Sequence, residues 1–521
     1  MIYLLAFDID VVTKSLEKIQ VSSGSGQNYL EKIVQVPFAL PISDKVALRK
    51  LFFGKLNDIL SGAEEEYFDI SYWTNVYFSG IDHFIATPRD IFRLTNVLQA
   101  TYPCLNGEVN SVDLIAIEAI RIFLPKLYDE IRYNQDLLTS MDLQQETKDK
   151  RKDNFEEWLG FLPEGDRISA KNLLSQIFPL FGSVYSGTIC GYNWVATWRR
   201  QLRICSTDRF PIYFRFSLGP DSISNAEIKT LLKATGDMDA FKGALLRYAS
   251  QTRSDGSSKV RAILERLEDY TREDILEQDI PSVVCTLLDI GDSLLLERDA
   301  PRGMFDFGND IQISRVVHQL LMRLDEINRF FIVSKAIESG SAISTIAHEA
   351  AIWGQEHGKF GSSEPFPEKD RTFCANNLRA IERQVLQRII KASEDGSLLS
   401  VPVPHLVGIL YDWSTWAGTD KDVREWVDRI VRTDEGLVSF LQHFGSITRG
   451  QNAGDLAVRH KYRLDPEWMK PFTDPDKIAE RLNKIDVNDL DQKQKKAVVR
   501  FLHEYDLRKR RDNPDIEPWK D

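Results

Sequence analysis

At 521 residues with 43% hydrophobic, 10% aromatic and 28% charged positions, the chain has the make-up of a folded globular protein with more than one core. A collagenous or wholly disordered chain is excluded. Its 66 Lys and Arg against 78 Asp and Glu leave a formal charge of −12, which argues against a coat for nucleic acid or a membrane surface. The five cysteines form no C-x-x-C pair, so neither a zinc site nor a disulfide framework is indicated and a reducing cytoplasm fits. No apolar run approaches the roughly 20 residues that span a bilayer. No basic segment with a cleavage site opens the chain, so neither membrane insertion nor secretion is expected.

In chain order, Ile2 to Phe7 reads as a buried strand of the parallel-sheet kind, uninterrupted by polar residues. A strand that starts at the first residue needs partners in an existing sheet, so further sequence upstream is expected. Asp10 to Ile19 follows as a short helix, Tyr29 to Ile33 as a helical turn, and Val34 to Leu40 as a second short strand with Pro37 tolerated at an edge. From Asp44 the chain turns helical, with Leu48, Leu51, Phe52, Leu56, Ile59 and Leu60 on one face. Thr87-Pro-Arg-Asp90 is a helix start, with Thr87 as cap, Pro88 at the first position and Asp90 three after the cap. Ser111 is read as the cap of the next helix, through Leu124. The charged stretch Gln144 to Asp153 reads as a domain boundary or as a solvated helix face. Amphipathic patterns then predict helices at Val283–Leu296, Ile313–Leu324, Phe330–Ser339, Thr372–Ile390, Leu406–Trp416, Val423–Val431 and Gln492–Tyr505.

The phosphate-binding loop Gly-x4-Gly-Lys-[Ser/Thr] is absent from the sequence: Gly54-Lys55 and Gly358-Lys359 are followed by Leu and Phe. The apolar run ending in Asp8 could instead be a magnesium-binding strand. His348-Glu349 lacks the second His that a zinc helix needs. Asp221 with Glu227 and Lys229 is too closely spaced for a nuclease pair of strands, whereas Ser224-x-x-Glu227 is a capping box. Between Trp194 and Phe216, aromatics alternate with Arg199, Arg200, Arg203, Arg209 and Arg215. Such a mixture can stack bases and hold phosphates, or it can pair with acidic neighbours, and the acidic balance of the chain favours the second.

Tyr3-Leu-Leu-Ala-Phe-Asp8, Tyr29-Leu-Glu-Lys-Ile-Val-Gln-Val-Pro-Phe38, Thr87-Pro-Arg-Asp-Ile-Phe-Arg-Leu-Thr-Asn96 and Tyr102-Pro103 together resemble the KAP family of P-loop NTPases. Gly107 to Leu114, Arg199 to Ser206 and Tyr213 to Phe216 look like the helical extension of its bacterial members. The resemblance implies a family half that lies after the phosphate loop and the acidic magnesium strand. Phe92 departs from the pattern where a basic residue is usual, and Ile9 where an Arg is common. The expected fold is mainly α with a small α/β remnant: the end of an NTPase core at 1–43, a helical lid at 44–140, a mixed, mostly helical extension at 141–275, and a helical carboxy-terminal region at 276–521.

By this resemblance Arg89 would act as the lid arginine that touches the terminal phosphate, with Arg93, Asn96 and Asp8 as further nucleotide-binding candidates. The alternative for Arg89 is an ion pair with Asp82 or Asp90. ATP and magnesium are expected only if an amino-terminal half is supplied, and none for this chain alone. The implied partners are that half or a homologous subunit in an oligomer, with a protein effector, and the implied context is phage defence or signalling. The competing reading is a non-catalytic helical interaction scaffold with a degenerate lid.

Overall fold

In the computed structural model the described residues are 5–19, 25–39, 44–62, 68–140, 148–187, 191, 193–215, 217–219, 221–301, 306–361, 364–450 and 459–509. Almost all ordered structure among them is helical. The one sheet is an antiparallel pair, β1 (Ser446–Gly450) and β2 (Arg459–Arg463).

The amino-terminal strands of the sequence reading are not formed among these residues. Residues 1–4 lie outside the described set, and Leu5 to Asp8 is exposed and forms no strand among the described residues. Val34 to Ala39 holds a bend and otherwise no regular element, with Phe38 87% exposed. The physical reason is that an apolar β-branched run is a strand only against a neighbouring strand, and the described sheet lies at the other end of the chain. Two helices stand in their place, α1 (Ile9–Ile19) and α2 (Ser25–Ile33), packed mainly on each other. Gly26 permits their approach, since a Cβ there would lie 2.5 Å from the Thr13 carbonyl oxygen.

Next come α3 (Lys45–Ile59), capped by Asp44, and α4 (Ile70–Val76), capped by Asp69. One π-helical turn, Tyr77–Ile81, joins α4 to α5 (Asp82–Phe84). A single inserted residue widens a helix in this way. Here it seats Tyr77 against Phe52, ring centroids 5.8 Å apart, and aims its hydroxyl at Asp82. It also turns Gly80 toward the helix Glu164–Ile177, where an added Cβ would come within 2.7 Å of Leu173 Cβ. Gly80→Ala is therefore expected to lower stability by about 1–3 kcal/mol through overpacking, measured by urea denaturation.

Helix α6 (Pro88–Leu105) begins with the predicted capping box: Thr87 Oγ1 accepts from Asp90 N–H, and the Asp90 carboxylate accepts from Thr87 N–H at 2.9 Å. Helix α7 (Ser111–Phe123) is capped one residue earlier than predicted. Asn110 supplies the cap, its Oδ1 accepting from Val112 and Asp113 N–H at 3.1 and 3.2 Å, and Ser111 is the first helical residue. Both residue types cap well, so spacing alone could not separate them. Every residue from Ser111 to Ile120 is buried, including Asp113 and Glu118. A helix covered on all sides is a central one, and α7 is the axis of the first core.

That first apolar core runs from Leu48 to Tyr213, and a second runs from Ile223 to Phe501. The cores part between residues 213 and 223, within the stretch read as an extension at 141–275. The charged segment Gln144 to Asp153 lies inside the first core's span, and its described part begins the helix Lys148–Gly160. Each of the seven helices predicted after residue 280 has its counterpart, among them Ile280–Leu294, Ala375–Asp395 and Gln492–Lys509. Ile343–Gln355 was not predicted. It has no side-chain cap, since Ala342 precedes it.

Candidate functional site

The amino-terminal turn of α6 is the place where the sequence puts its main functional residue. Arg89 is exposed there and makes no hydrogen bond or ion pair among the described residues. Both carboxylates that could have taken it are engaged. Asp82 receives Arg49 Nη2 at 2.7 Å and Nε at 2.9 Å together with the Tyr77 hydroxyl at 2.9 Å. The Arg49 hydrogen bonds hold the Asp82 carboxyl below the usual carboxylate range. Asp90 is turned back on Thr87 as the reciprocal half of the capping box. The expected alternative, an Arg89 pair with Asp82 or Asp90, is therefore not formed. An exposed cation in the first turn of a helix is opposed by the helix dipole by a few tenths of a kcal/mol or more, and the neighbouring Asp90 carboxylate is hydrogen-bonded to Thr87 rather than paired with Arg89.

Arg93 and Asn96 follow at four and seven residues, on the same face and exposed. Arg93 is committed in part to its neighbour: Nη2 donates to the Ile122 carbonyl at 3.3 Å, and the guanidinium lies 6.0 Å from the Phe123 ring centroid, at the carboxy-terminal end of α7. Phe92 carries Lys55 Nζ over its ring at 4.6 Å. Asp8 is not brought to this face by any extensive packing of α1. Its Oδ1 accepts from Asp10 and Val11 N–H at 3.0 and 3.1 Å, the geometry of a helix cap.

A second cluster ties distant segments of the first core together. Arg203 Nε donates to Asp113 Oδ2 at 2.7 Å, and Arg203 Nη2 donates to the Tyr72 hydroxyl at 2.6 Å and the Gln176 carbonyl at 3.0 Å. The Tyr72 hydroxyl also donates to Asp113, and Ile204 N–H reaches the same carboxylate at 2.8 Å. Burial, with Asp113 alongside, raises the Tyr72 hydroxyl well above its ordinary pKa. Tyr213 completes the joint by accepting from Asn110 N–H and donating to the Leu202 carbonyl. Sequence reasoning did not single out Tyr72 or Asp113. The available signal was a carboxylate inside the otherwise apolar run from Val112 to Ile117.

Three of the four remaining arginines of the aromatic stretch are paired with acids, as the acidic balance suggested. Arg199 meets Asp208, Asp269 and Glu265, Arg200 meets Asp274, and Arg209 meets Glu108. Ser224 and Glu227 form the expected capping box of the helix Asn225–Lys233, and Asp221 accepts from Ser254 N–H at 2.8 Å. Among the described residues no group of three or more His, Cys, Asp or Glu could hold a metal. Nor is any helix among them long and apolar enough to cross a membrane.

Comparison with known proteins bears on the first of these arrangements. Residues 1–105 match the KAP family P-loop domain. The KAP match ends at the last residue of α6, so Asp8, Arg89, Arg93 and Asn96 all fall inside it. The chain is also 24% identical over 509 residues to the phage T7 exclusion protein of Escherichia coli strain K12, an alignment covering 91% of this chain and 64% of that protein. The chain thus spans less than two thirds of that relative's length. No solved structure matches.

Proposed function

We propose that the chain supplies the helical lid and an effector-binding, regulatory region of a KAP-like P-loop NTPase that acts in the cytoplasm in defence against phage. The observation that carries this reading is the KAP match over residues 1–105, with an unpaired Arg89 at the head of a capped helix inside it. In this account a loop-bearing polypeptide holds ATP and magnesium, and Arg89 approaches the terminal phosphate. Arg93 and Asn96 support it on the same face. Asp8 keeps a lesser part in the proposal, because its carboxylate already caps α1. The exposed apolar side chains Leu5, Phe7, Ile9, Val11, Val36 and Phe38 offer the loop-bearing part a surface to cover. The relative's name, an exclusion protein for a phage, supports the biological context.

The purified chain is then expected not to hydrolyse ATP. Phosphoryl transfer depends on a phosphate loop, its Lys and bound magnesium for positioning and charge neutralisation, and the 521 residues contain no such loop. Magnesium-dependent release of phosphate, abolished by a point substitution within the chain, would overturn this. The scaffold reading is favoured by Phe92, whose ring is occupied by Lys55. It differs in predicting that no supplied nucleotide-binding part restores a dependence on Arg89.

A further inference from the structure

The two apolar cores meet around a cavity of about 280 Å³ whose charged lining is Arg209, Arg215, Arg253 and Arg266 with Asp208, Asp221 and Glu265. Ile212 on its wall belongs to the first core and Ile223 to the second. Arg209 is 1% exposed, and Arg266 is also buried. Arg209 Nη1 donates to Glu108 at 3.2 Å, but its Nε and Nη2 have no hydrogen-bond partner among the described residues. Arg266 Nη2 donates to the Tyr270 hydroxyl at 3.2 Å, whereas its Nε is unpartnered and stands 3.9 Å from Asp269. The Nε of Arg253 is likewise buried and unpartnered. Buried guanidinium N–H groups are rarely left without acceptors, and here three such groups line one cavity, with Arg215 as a fourth arginine on its wall.

The acids on its wall do not supply those acceptors, because each is engaged elsewhere. Asp208 forms an ion pair with Arg199, 2.8 Å from its Nε, Glu265 stands 3.5 Å from Arg199 Nη2, and Asp221 accepts from Ser254. Burial, and then the neighbouring charge of Arg266, pushes the Arg209 guanidinium down to about 10. The cavity therefore presents more cationic donors than its own carboxylates satisfy. Guanidinium groups bind pairs of phosphate oxygens in bidentate fashion, and the volume is close to the lower end of small-ligand pockets.

We propose that this cavity binds a phosphate-class dianion, as the free ion or as a small phosphomonoester, held between Arg209 and Arg266 with Arg253 at its side. Such a ligand would join the two helical units and make their contact depend on its concentration. The inference is independent of any nucleotide bound near Arg89.

The test is calorimetric titration and thermal unfolding of the full chain in phosphate-free buffer, with inorganic phosphate and ribose 5-phosphate as probes and sodium chloride at matched ionic strength as control. One probe at least should bind with one-to-one stoichiometry and raise the melting temperature. Ribose 5-phosphate binding tenfold tighter than phosphate identifies the ester; the reverse order identifies the free ion. Arg209→Met and Arg266→Met should each weaken binding tenfold or more, and the less buried Arg253→Ala several-fold, so that a failure to fold at either buried site leaves the site testable. Arg424→Ala, at a surface ion pair with Asp420 away from the cavity, should leave binding unchanged. No saturable heat with either probe, or affinity unchanged in the folded arginine variants, overturns the proposal.

Discussion

Replacing Asp113 by Ala is expected to destabilise the first helical unit by about 3–5 kcal/mol, the cost of leaving a buried charge without its partner. Asp113 is fully buried, and it accepts from Arg203 Nε, the Tyr72 hydroxyl and Ile204 N–H at once. Its removal strands the Arg203 guanidinium among Tyr72, whose ring centroid lies 4.1 Å away, and the Gln176 carbonyl. Whole-protein stabilities commonly lie within about 5–15 kcal/mol, so a loss of this size should be plain in urea denaturation followed by circular dichroism. Because the loss comes from an orphaned charge, the double change Asp113→Ala with Arg203→Met should recover part of it. Losses that simply add would show that the two residues are not coupled.

Glu349→Gln should flatten the pH dependence of stability between pH 5 and pH 8. The Glu349 side chain is buried on the helix Ile343–Gln355 and hydrogen-bonded by the Ser314 hydroxyl. Burial pushes its carboxyl up to about 7 from an ordinary 4.5, and the nearby carboxylates of Asp310 and Glu356 add to the effect. A raised folded-state value means that the stability is present below the unfolded pKa and is lost as pH rises through about 7. The loss attached to this group is on the order of 3 kcal/mol. Asp412 is pushed up to about 7 by burial and acts in the same sense. His443, pushed down to about 4 by burial, opposes both, because its contribution is lost as pH falls from 6.5 toward 4. His348 and His405, both lowered by burial, act with it. These groups remain in the variant, so the difference between variant and parent isolates Glu349. Chemical denaturation at the two pH values should show Glu349→Gln gaining stability relative to the parent as pH rises; parallel curves would place the ionised carboxylate in an environment that accepts it.

The parts of this protein that could be read from sequence are those fixed by local chemistry. The Thr87 and Ser224 capping boxes and the carboxy-terminal helices depend on residues within a few positions of each other, and they form as read. The amino-terminal strands did not follow, because a strand is settled by its neighbours and no neighbouring strand is present among the described residues. The π-helical turn at Tyr77–Ile81 has no motif; it is fixed by the Tyr77 contact with Asp82 and by the packing of Leu173 on Gly80. Of the candidate site, the position of Arg89 at a helix start was legible, but its lack of a partner was not. That depended on Arg49, which lies 33 residues before Asp82 and captures its carboxylate. The cavity at Arg209 and Arg266 is further from local reading still, since its walls come from both cores.

In the function proposed above, the head of α6 reads the terminal phosphate of a nucleotide held by a loop-bearing part of the same NTPase. The most direct measurement is calorimetric titration of ATP and of ADP into the chain joined to, or assembled with, an amino-terminal polypeptide that carries the phosphate loop, with and without Arg89→Ala. One charge-assisted contact is worth roughly 1.5–3 kcal/mol. The account therefore predicts that Arg89→Ala weakens ATP about one to two decades more than ADP, while Arg200→Ala, at an ion pair with Asp274 outside the family match, leaves the ratio unchanged. Equal losses for the two nucleotides, or none for either in an assembly that binds both, would contradict it.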